Sequence, residues 1–202
     1  MDEGYFKHII EHPELSAQDV ALIRKHLPDA RRIVDVGCGR GGFVEICGRE
    51  LGGAIGLDNK AAAARICRAQ GLPFVLADAE RLPFAPGSLD VVRAKEIIEH
   101  LPDPQPMLRQ ILQALRADGL FLSRIPSHFS TLYPIGNFWD DYTHVRPLSR
   151  LGLRRLLEDC GFEIESITGC TPGRNLAERL LGRVLGVVFP WSWVAVARKP
   201  GS

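Results

Sequence analysis

The chain has 202 residues, 46% hydrophobic and 24% charged, and its 25 basic and 24 acidic side chains leave a net charge of +1. At about 150 residues per domain this is one domain with additions. Near-neutrality argues against a protein that wraps nucleic acid by neutralising phosphates. Five cysteines without a Cys-x-x-Cys pair suit neither a disulfide framework nor a zinc site, and are expected as reduced thiols in a cytoplasmic protein. The start, Met1-Asp-Glu-Gly, lacks the basic and apolar regions of a signal peptide. The longest uncharged stretch, 184–197, falls short of the roughly 20 residues that a membrane span needs.

Residues 1–30 read as a helical cap, with Leu15, Val20, Ile23 and Leu27 near helical spacing and Ser16 and Asp19 spaced as a capping box. A β-branched run over 31–36 then ends in Gly37-Cys-Gly-Arg-Gly-Gly42. A helix over 43–51 follows, then a strand over 54–57 closed by Asp58, a helix over 60–70 and a strand over 74–77 closed by Asp78. A fourth strand, 89–92, feeds a helix near 96–100; a helix over 105–115 and a strand over 119–125 come next. Residues 126–147 break this rhythm with aromatic and polar residues. A helix over 149–160 and strands over 162–167 and 193–197 complete the pattern, and 172–192 forms a second insertion.

Strands alternating with helices of about ten residues predict an α/β fold: a doubly wound, mostly parallel sheet with helices on both faces. Continuous apolar strands agree, since both faces of such a sheet are covered. The predicted organisation is a single domain: a cap (1–30), a cofactor-binding core (31–125) and substrate-side lids at 126–147 and 172–192.

In such sheets ligands bind at the carboxyl ends of the strands, where strand order reverses. Gly37, Gly39 and Gly42 satisfy Gly-x-Gly-x-x-Gly, and Asp58 follows at the distance of a ribose-binding acid. Alone, this admits any nucleoside cofactor, including that of an NAD-linked oxidoreductase. Asp35 and Asp78 argue against a pyrophosphate and for a cationic ligand, since carboxylates repel the one and attract the other.

Val34-Asp-Val-Gly-Cys-Gly-Arg-Gly41, Gly56-Leu-Asp58, Ala77-Asp78, Leu82-Pro-Phe84, Leu89-Asp-Val-Val92 and Glu96-Ile-Ile-Glu-His-Leu101 together resemble the ordered motifs of class I S-adenosylmethionine-dependent methyltransferases of the small-molecule type. The resemblance implies a Rossmann-like sheet with a final antiparallel strand, and S-adenosylmethionine as cofactor with S-adenosylhomocysteine as product. It places Gly37, Cys38 and Gly39 beneath the methionine moiety and Asp58 on the ribose hydroxyls. Asp78 and the backbone of Ala79 would read the adenine, Asn59 would pack on its face, and Lys95 would lie near the sulfonium end; Asp35, from its charge, is expected to bind the cofactor as well.

For an oxygen acceptor a base is needed, and His144 in Thr143-His-Val-Arg-Pro147 is the catalytic candidate. Glu96, Glu99 and His100, read as one helix face, could converge on a divalent cation with His144 as a fourth ligand; the same run equally caps and packs a helix, and no metal is assigned. No Asn/Asp-Pro-Pro-aromatic run follows the fourth strand, which argues against amide or nucleobase nitrogen as acceptor. Arg150, Arg154 and Arg155 read as a solvated face, so no nucleic-acid partner is expected. If exposed, Phe189, Trp191 and Trp193 would suit an apolar or aromatic acceptor or a weak membrane-surface contact. The expected activity is O-methylation of a small molecule by in-line displacement; the alternative is a non-catalytic S-adenosylmethionine-binding protein.

Overall fold

The computed structural model describes residues 13–132, 137–171 and 189–201. Among the described residues the first element is helix α1 (Pro13–His26), followed by β1 (Ile33–Val36), α2 (Gly42–Glu50), β2 (Ile55–Asp58), α3 (Ala61–Ala69) and β3 (Phe74–Leu76). Then come β4 (Leu89–Lys95), α4 (Gln105–Ala114), β5 (Leu115–Pro126), α5 (Arg150–Asp159), β6 (Glu163–Cys170) and β7 (Ser192–Arg198). They build one seven-stranded sheet of order β3-β2-β1-β4-β5-β7-β6. Strands β1 to β5 are parallel, as predicted, and β7 runs antiparallel between β5 and β6; a final antiparallel strand is what the resemblance implied.

The chain winds outward from β1 to β3, then crosses back to place β4 on the other side of β1, so strand order reverses between β1 and β4. Pairing of Val36 with both Leu57 and Ala94 brings the carboxyl ends of β1, β2 and β4 level at this point. Each face is covered because strand side chains alternate. Ile33, Val91, Leu120 and Leu122 pack on α1 and α2 through Val20, Ile23 and Phe43. On the opposite face Val34, Val36, Val92 and Phe121 pack on α4 and α5 through Leu108, Ile111, Leu153 and Leu157. Each of these large side chains contributes roughly 1.5–3 kcal/mol by leaving water.

Two polar clusters interrupt this apolar scheme. At the amino-terminal edge, Asp90 accepts the backbone N–H groups of Arg31 and Arg32 and the side chains of Arg32 and Arg116, tying the starts of β1, β4 and β5 together. Within the α1-facing layer, Asp19 receives Arg93 Nε at 2.8 Å and Arg124 Nη2 at 2.9 Å, and Arg93 Nη1 donates to Asp35 at 2.7 Å. All four are buried, and the Arg93 guanidinium lies 4.4 Å above the Phe43 ring.

Three expectations change. Asp19 does not form a capping box with Ser16, because α1 begins at Pro13 and the Asp19 carboxylate points inward to neutralise two arginines. The helix expected near 96–100 is a single 3-10 turn, Ile98–His100; Glu96 takes a left-handed conformation (φ 55°) as its N–H pairs with Arg124 O at 2.8 Å, prolonging the sheet by one bond before the chain turns. Trp193 is buried in β7, and its indole N–H donates to Leu148 O. Ser149 caps α5 by accepting Gly152 N–H. The helical expectation for 1–12 and that for 172–188, Arg179 and Arg183 included, lie outside the described residues.

Candidate active site at the carboxyl edge of the sheet

The loop after β1 is held tightly. Gly37 N and Cys38 N donate to Leu57 O at 2.7 and 3.1 Å, and Gly39 N donates to Asp58 Oδ2 at 3.0 Å. Gly37 has φ 71°, which a side chain disfavours. A Cβ there would stand 2.0 Å from Ile97 Cδ1, so the loop lies directly against the turn that follows β4. The Cys38 thiol is turned inward onto Val44 and Cys67, and burial pushes it far above the usual thiol range. What Cys38 presents to the edge is therefore backbone.

The predicted acids occupy different settings. Asp58 closes β2 half-buried and accepts Gly39 N–H on one oxygen and Lys60 N–H on the other. A carboxylate has about four acceptor positions, so two remain for a vicinal diol. Asp78 follows β3, is exposed, and accepts Glu80 N–H on Oδ1. Ala79 is half-buried against the core, and Asn59 is exposed beside Asp58. Lys95 is half-buried at the end of β4, with Nζ 3.6 Å from Glu96. Asp35 is not brought to this edge: it is 1% exposed and tied to Arg93. Burial raises its pKa despite Arg93, and its place is within the sheet.

Beside the glycine loop, the turn after β4 meets the segment after β5. Glu99, His100 and His144 each offer a ligand atom within 4.8 Å of the others. Glu96 is not among them; its left-handed backbone turns it outward beside Lys95. Neither oxygen of the buried Glu99 carboxylate has a hydrogen-bond partner. Burial, then the nearby Glu96, hold this carboxyl well above the usual range.

Hydrogen bonds assign both imidazole tautomers. His144 Nδ1 lies 2.7 Å from Phe138 O, a carbonyl that can only accept, so Nδ1 carries a proton; in the neutral ring Nε2 keeps the lone pair, 4.0 Å from Asp141 Oδ2. Thr143 donates both its N–H and its hydroxyl to Asp141 Oδ1. Burial of Asp141 is outweighed by these bonds, which hold its carboxyl below the ordinary range. With its hydrogen committed, Thr143 Oγ1 accepts at 2.8 Å from His100 Nδ1, leaving a lone pair on His100 Nε2 as well. Burial, then His144, lower the His100 pKa. Asp141 and Thr143 were missed in the sequence, although an acid two residues before a threonine is a local turn signal.

Large apolar side chains surround this segment. Trp139, Tyr142, Val145 and Leu132 are exposed, and exposed Phe189 meets Phe129 edge-to-face at 5.2 Å. Arg150, Arg154 and Arg155 lie on α5: the first donates to Ile167 O, the second pairs with Glu158. No helix among the described residues is long and apolar enough to cross a membrane.

Residues 7–167 match the family model of a methyltransferase domain. A probable S-adenosylmethionine-dependent methyltransferase of Mycolicibacterium smegmatis is 31% identical over 155 residues, covering 76% of this chain and 60% of that protein. Phthiotriol/phenolphthiotriol dimycocerosates methyltransferase 1 of Mycobacterium ulcerans is 31% identical over 172 residues, covering 77% and 61%. The chain thus spans about three-fifths of the length of these curated relatives. In fold it is similar to a SAM-dependent methyltransferase from Archaeoglobus fulgidus (TM-score 0.69, 25% identity, 91% of this chain and 94% of that one). It is also similar in fold to the [4+2]-cyclase SpnF (TM-score 0.68, 21% identity, 92% and 81%).

Proposed function

As the chain belongs to the class I S-adenosylmethionine-dependent methyltransferases, we propose that it transfers the methyl group of S-adenosylmethionine to an oxygen of a small, largely apolar molecule. The observation that carries this reading is the adjacency of two half-sites. A glycine loop and Asp58 form a nucleoside cradle, and through the Gly37–Ile97 contact the loop adjoins the turn bearing Glu99 and His100.

The cradle fits the donor on its own geometry. Gly37 lacks the Cβ that would close the loop onto Ile97, and Asp58 keeps two acceptor positions for ribose hydroxyls. Asp78 and Ala79 stand at the end of β3 to read the adenine, with Asn59 and Lys95 at the margins of the same edge. The donor supplies an electrophilic methyl group on a sulfonium. The chain aligns the acceptor oxygen with it, excludes water and assists loss of the hydroxyl proton. His144 suits that last task because its Nδ1–H is held by Phe138 O and Asp141 Oδ2, 4.0 Å from Nε2, would stabilise the proton that Nε2 takes.

An apolar acceptor is supported by the exposed Leu132, Trp139, Tyr142, Val145 and Phe189, and by relatives named for phthiotriol dimycocerosates. The inward position of Trp193 removes one residue of the predicted surface.

The test is calorimetric titration with S-adenosylmethionine, S-adenosylhomocysteine and NADH, followed by transfer of labelled methyl to apolar phenols, alcohols and amines. Binding of the first two ligands only, with label on oxygen, is expected. Binding of NADH alone would overturn the cofactor, and label on nitrogen alone would overturn the acceptor class. Binding without transfer to any acceptor would favour a non-catalytic role.

A further inference from the structure

We propose that the rim formed by the segments after β5 and before β7 is a docking surface for an anionic lipid bilayer. Apart from Ile55 and Leu76, every exposed large apolar side chain among the described residues lies there: Leu132, Trp139, Tyr142, Val145, Leu151 and Phe189. Tyr142 is 94% exposed and Leu132 72%. Such residues scattered singly over a surface need no explanation, but a gathered set marks a contact.

Hydrogen bonds and ring contacts fasten these residues into one surface. Pro126, the last residue of β5, pairs with Ser192, the first of β7, so the chain leaves and re-enters the sheet at its carboxyl edge. Asn137 Nδ2 donates to Thr131 O at 2.7 Å, joining the turn that carries Leu132 to the one that carries Trp139. His144 Nδ1 donates to Phe138 O, which brings Tyr142 and Val145 to the same turn. His128 N donates to Leu148 O at 3.1 Å and ties in the start of α5 with Leu151, while Phe129 holds Phe189 by their edge-to-face contact.

Charge selects the occupant. Helix α5 carries Arg150, Arg154 and Arg155 toward the rim and Glu158 and Asp159 at its far end. The helix macrodipole favours the reverse order, and an arginine four residues before its glutamate, as in Arg154 and Glu158, is the weaker orientation of such a pair. A basic flank kept against these preferences suits anionic headgroups. Two acids share the rim and cap their own loop: Asp140 accepts Asn137 N–H at 2.7 Å, and Asp141 accepts Thr143 N–H at 2.9 Å. Their charge offsets part of the attraction, so docking depends on apolar insertion as well. Indole and phenol rings settle at the headgroup level of a bilayer, and a fluid bilayer conforms to side chains presented by three separate segments. Of Phe189, Trp191 and Trp193, the residues that the sequence offered for such a contact, only Phe189 is exposed.

The rim is bonded to the turn after β4 through Val145 N and Glu99 O. An apolar acceptor would therefore pass from the bilayer to the site without crossing water. This deepens the apolar-acceptor reading and rests on it for that role, although docking itself stands independently.

The experiment mixes the full chain with sucrose-loaded vesicles, either phosphatidylcholine alone or phosphatidylcholine and phosphatidylglycerol in equal parts, and measures the fraction that sediments. Binding to the anionic vesicles is expected, weaker at high salt, with a blue shift of tryptophan emission that Trp139→Phe removes. Trp139→Ser combined with Tyr142→Ser should weaken binding about tenfold or more, because two large side chains no longer leave water. Arg155→Glu should weaken it about fivefold or more. Calorimetric S-adenosylmethionine binding by each variant reports an intact fold; should the double variant fail to fold, Arg155→Glu and the emission of the native protein decide.

No sedimentation with either vesicle, or a double variant that binds as native does, would overturn the surface. Equal binding to both vesicles, untouched by Arg155→Glu, would overturn the choice of an anionic bilayer. A self-association seen by analytical ultracentrifugation, with no vesicle binding, would mean that a second copy covers the rim and would refute the proposal. Vesicle binding lost in the variants, with no apolar acceptor methylated, would sustain docking and refute the acceptor reading. Methylation of a water-dissolved phenol without vesicle binding would do the opposite.

Discussion

Val145 donates its backbone N–H to the carbonyl oxygen of Glu99 at 2.9 Å, although 46 residues separate them in the chain. This bond fastens the segment following β5 to the turn following β4. Every residue of the second half-site lies within a few positions of one end of it. On the proposed reading the chemistry depends on two segments meeting at the rim of the sheet, and the variants below separate that meeting from donor binding and from fold stability.

Replacing His144 by alanine removes an Nε2 lone pair but touches neither the glycine loop nor Asp58. The expected outcome is an unchanged S-adenosylmethionine Kd with kcat reduced roughly 10²–10⁴-fold, the scale of a lost acid–base group. Calorimetry and initial-rate kinetics on one preparation check both. A Kd that worsens in parallel with kcat would place His144 in the donor site.

Asp58 has two duties, holding Gly39 N–H and, on our reading, the ribose. Asp58→Ala should weaken donor binding by roughly 1.5–3 kcal/mol, the worth of hydrogen bonds to a charged group, or about 10–150-fold in Kd. Calorimetric titration measures this directly. An unchanged Kd would remove Asp58 from the cradle.

Asp19 is the only carboxylate bonded to Arg124 and one of two bonded to Arg93 among the described residues, all of them buried. Asp19→Ala strands positive charge in the α1-facing layer and should cost about 3–5 kcal/mol of stability, as breaking a buried ion pair from one side does. Urea denaturation gives the value. Replacement of exposed Glu158, whose partner Arg154 is partly exposed, should cost little by comparison.

The Asp90 carboxyl lies well below the ordinary carboxylate range: its burial opposes ionisation, but bonds from Arg32, Arg31 and Arg116 outweigh that cost. A depressed folded pKa gives stability that is fully present above the unfolded value, about 3.9. That stability is lost as pH falls from there toward the folded value. The melting temperature should therefore drop below about pH 4, and in Asp90→Asn this component of the drop should vanish, with the neutral-pH Tm lowered. A variant as acid-sensitive as native protein would show that other groups carry the effect.

Local chemistry was enough to find much of this molecule. The β-branched run of β1 with its glycine turn and the acids closing β2 and β3 were all recognisable. In each the cause lies within a few residues: strand alternation and positive φ at glycine. Glu96 shows where such reasoning ends. Glu-Ile-Ile-Glu-His has the composition of a helical turn, yet Glu96 N–H bonds to Arg124 O on the neighbouring strand and the chain turns differently. Nothing within five residues of Glu96 announces that bond.

The same limit separates the two half-sites. The proposed nucleoside cradle is assembled by consecutive strand–turn–helix units, so its residues stand at regular spacings that periodicity and turn chemistry reveal. Asp19 with Arg93 and Arg124, and Glu99 and His100 with His144, are brought together across 44 to 105 residues. Such contacts form only once a sheet has closed and its helices have packed. Which carboxylate is left buried and unpartnered, and which imidazoles face it, is a property of that closure rather than of any stretch of chain.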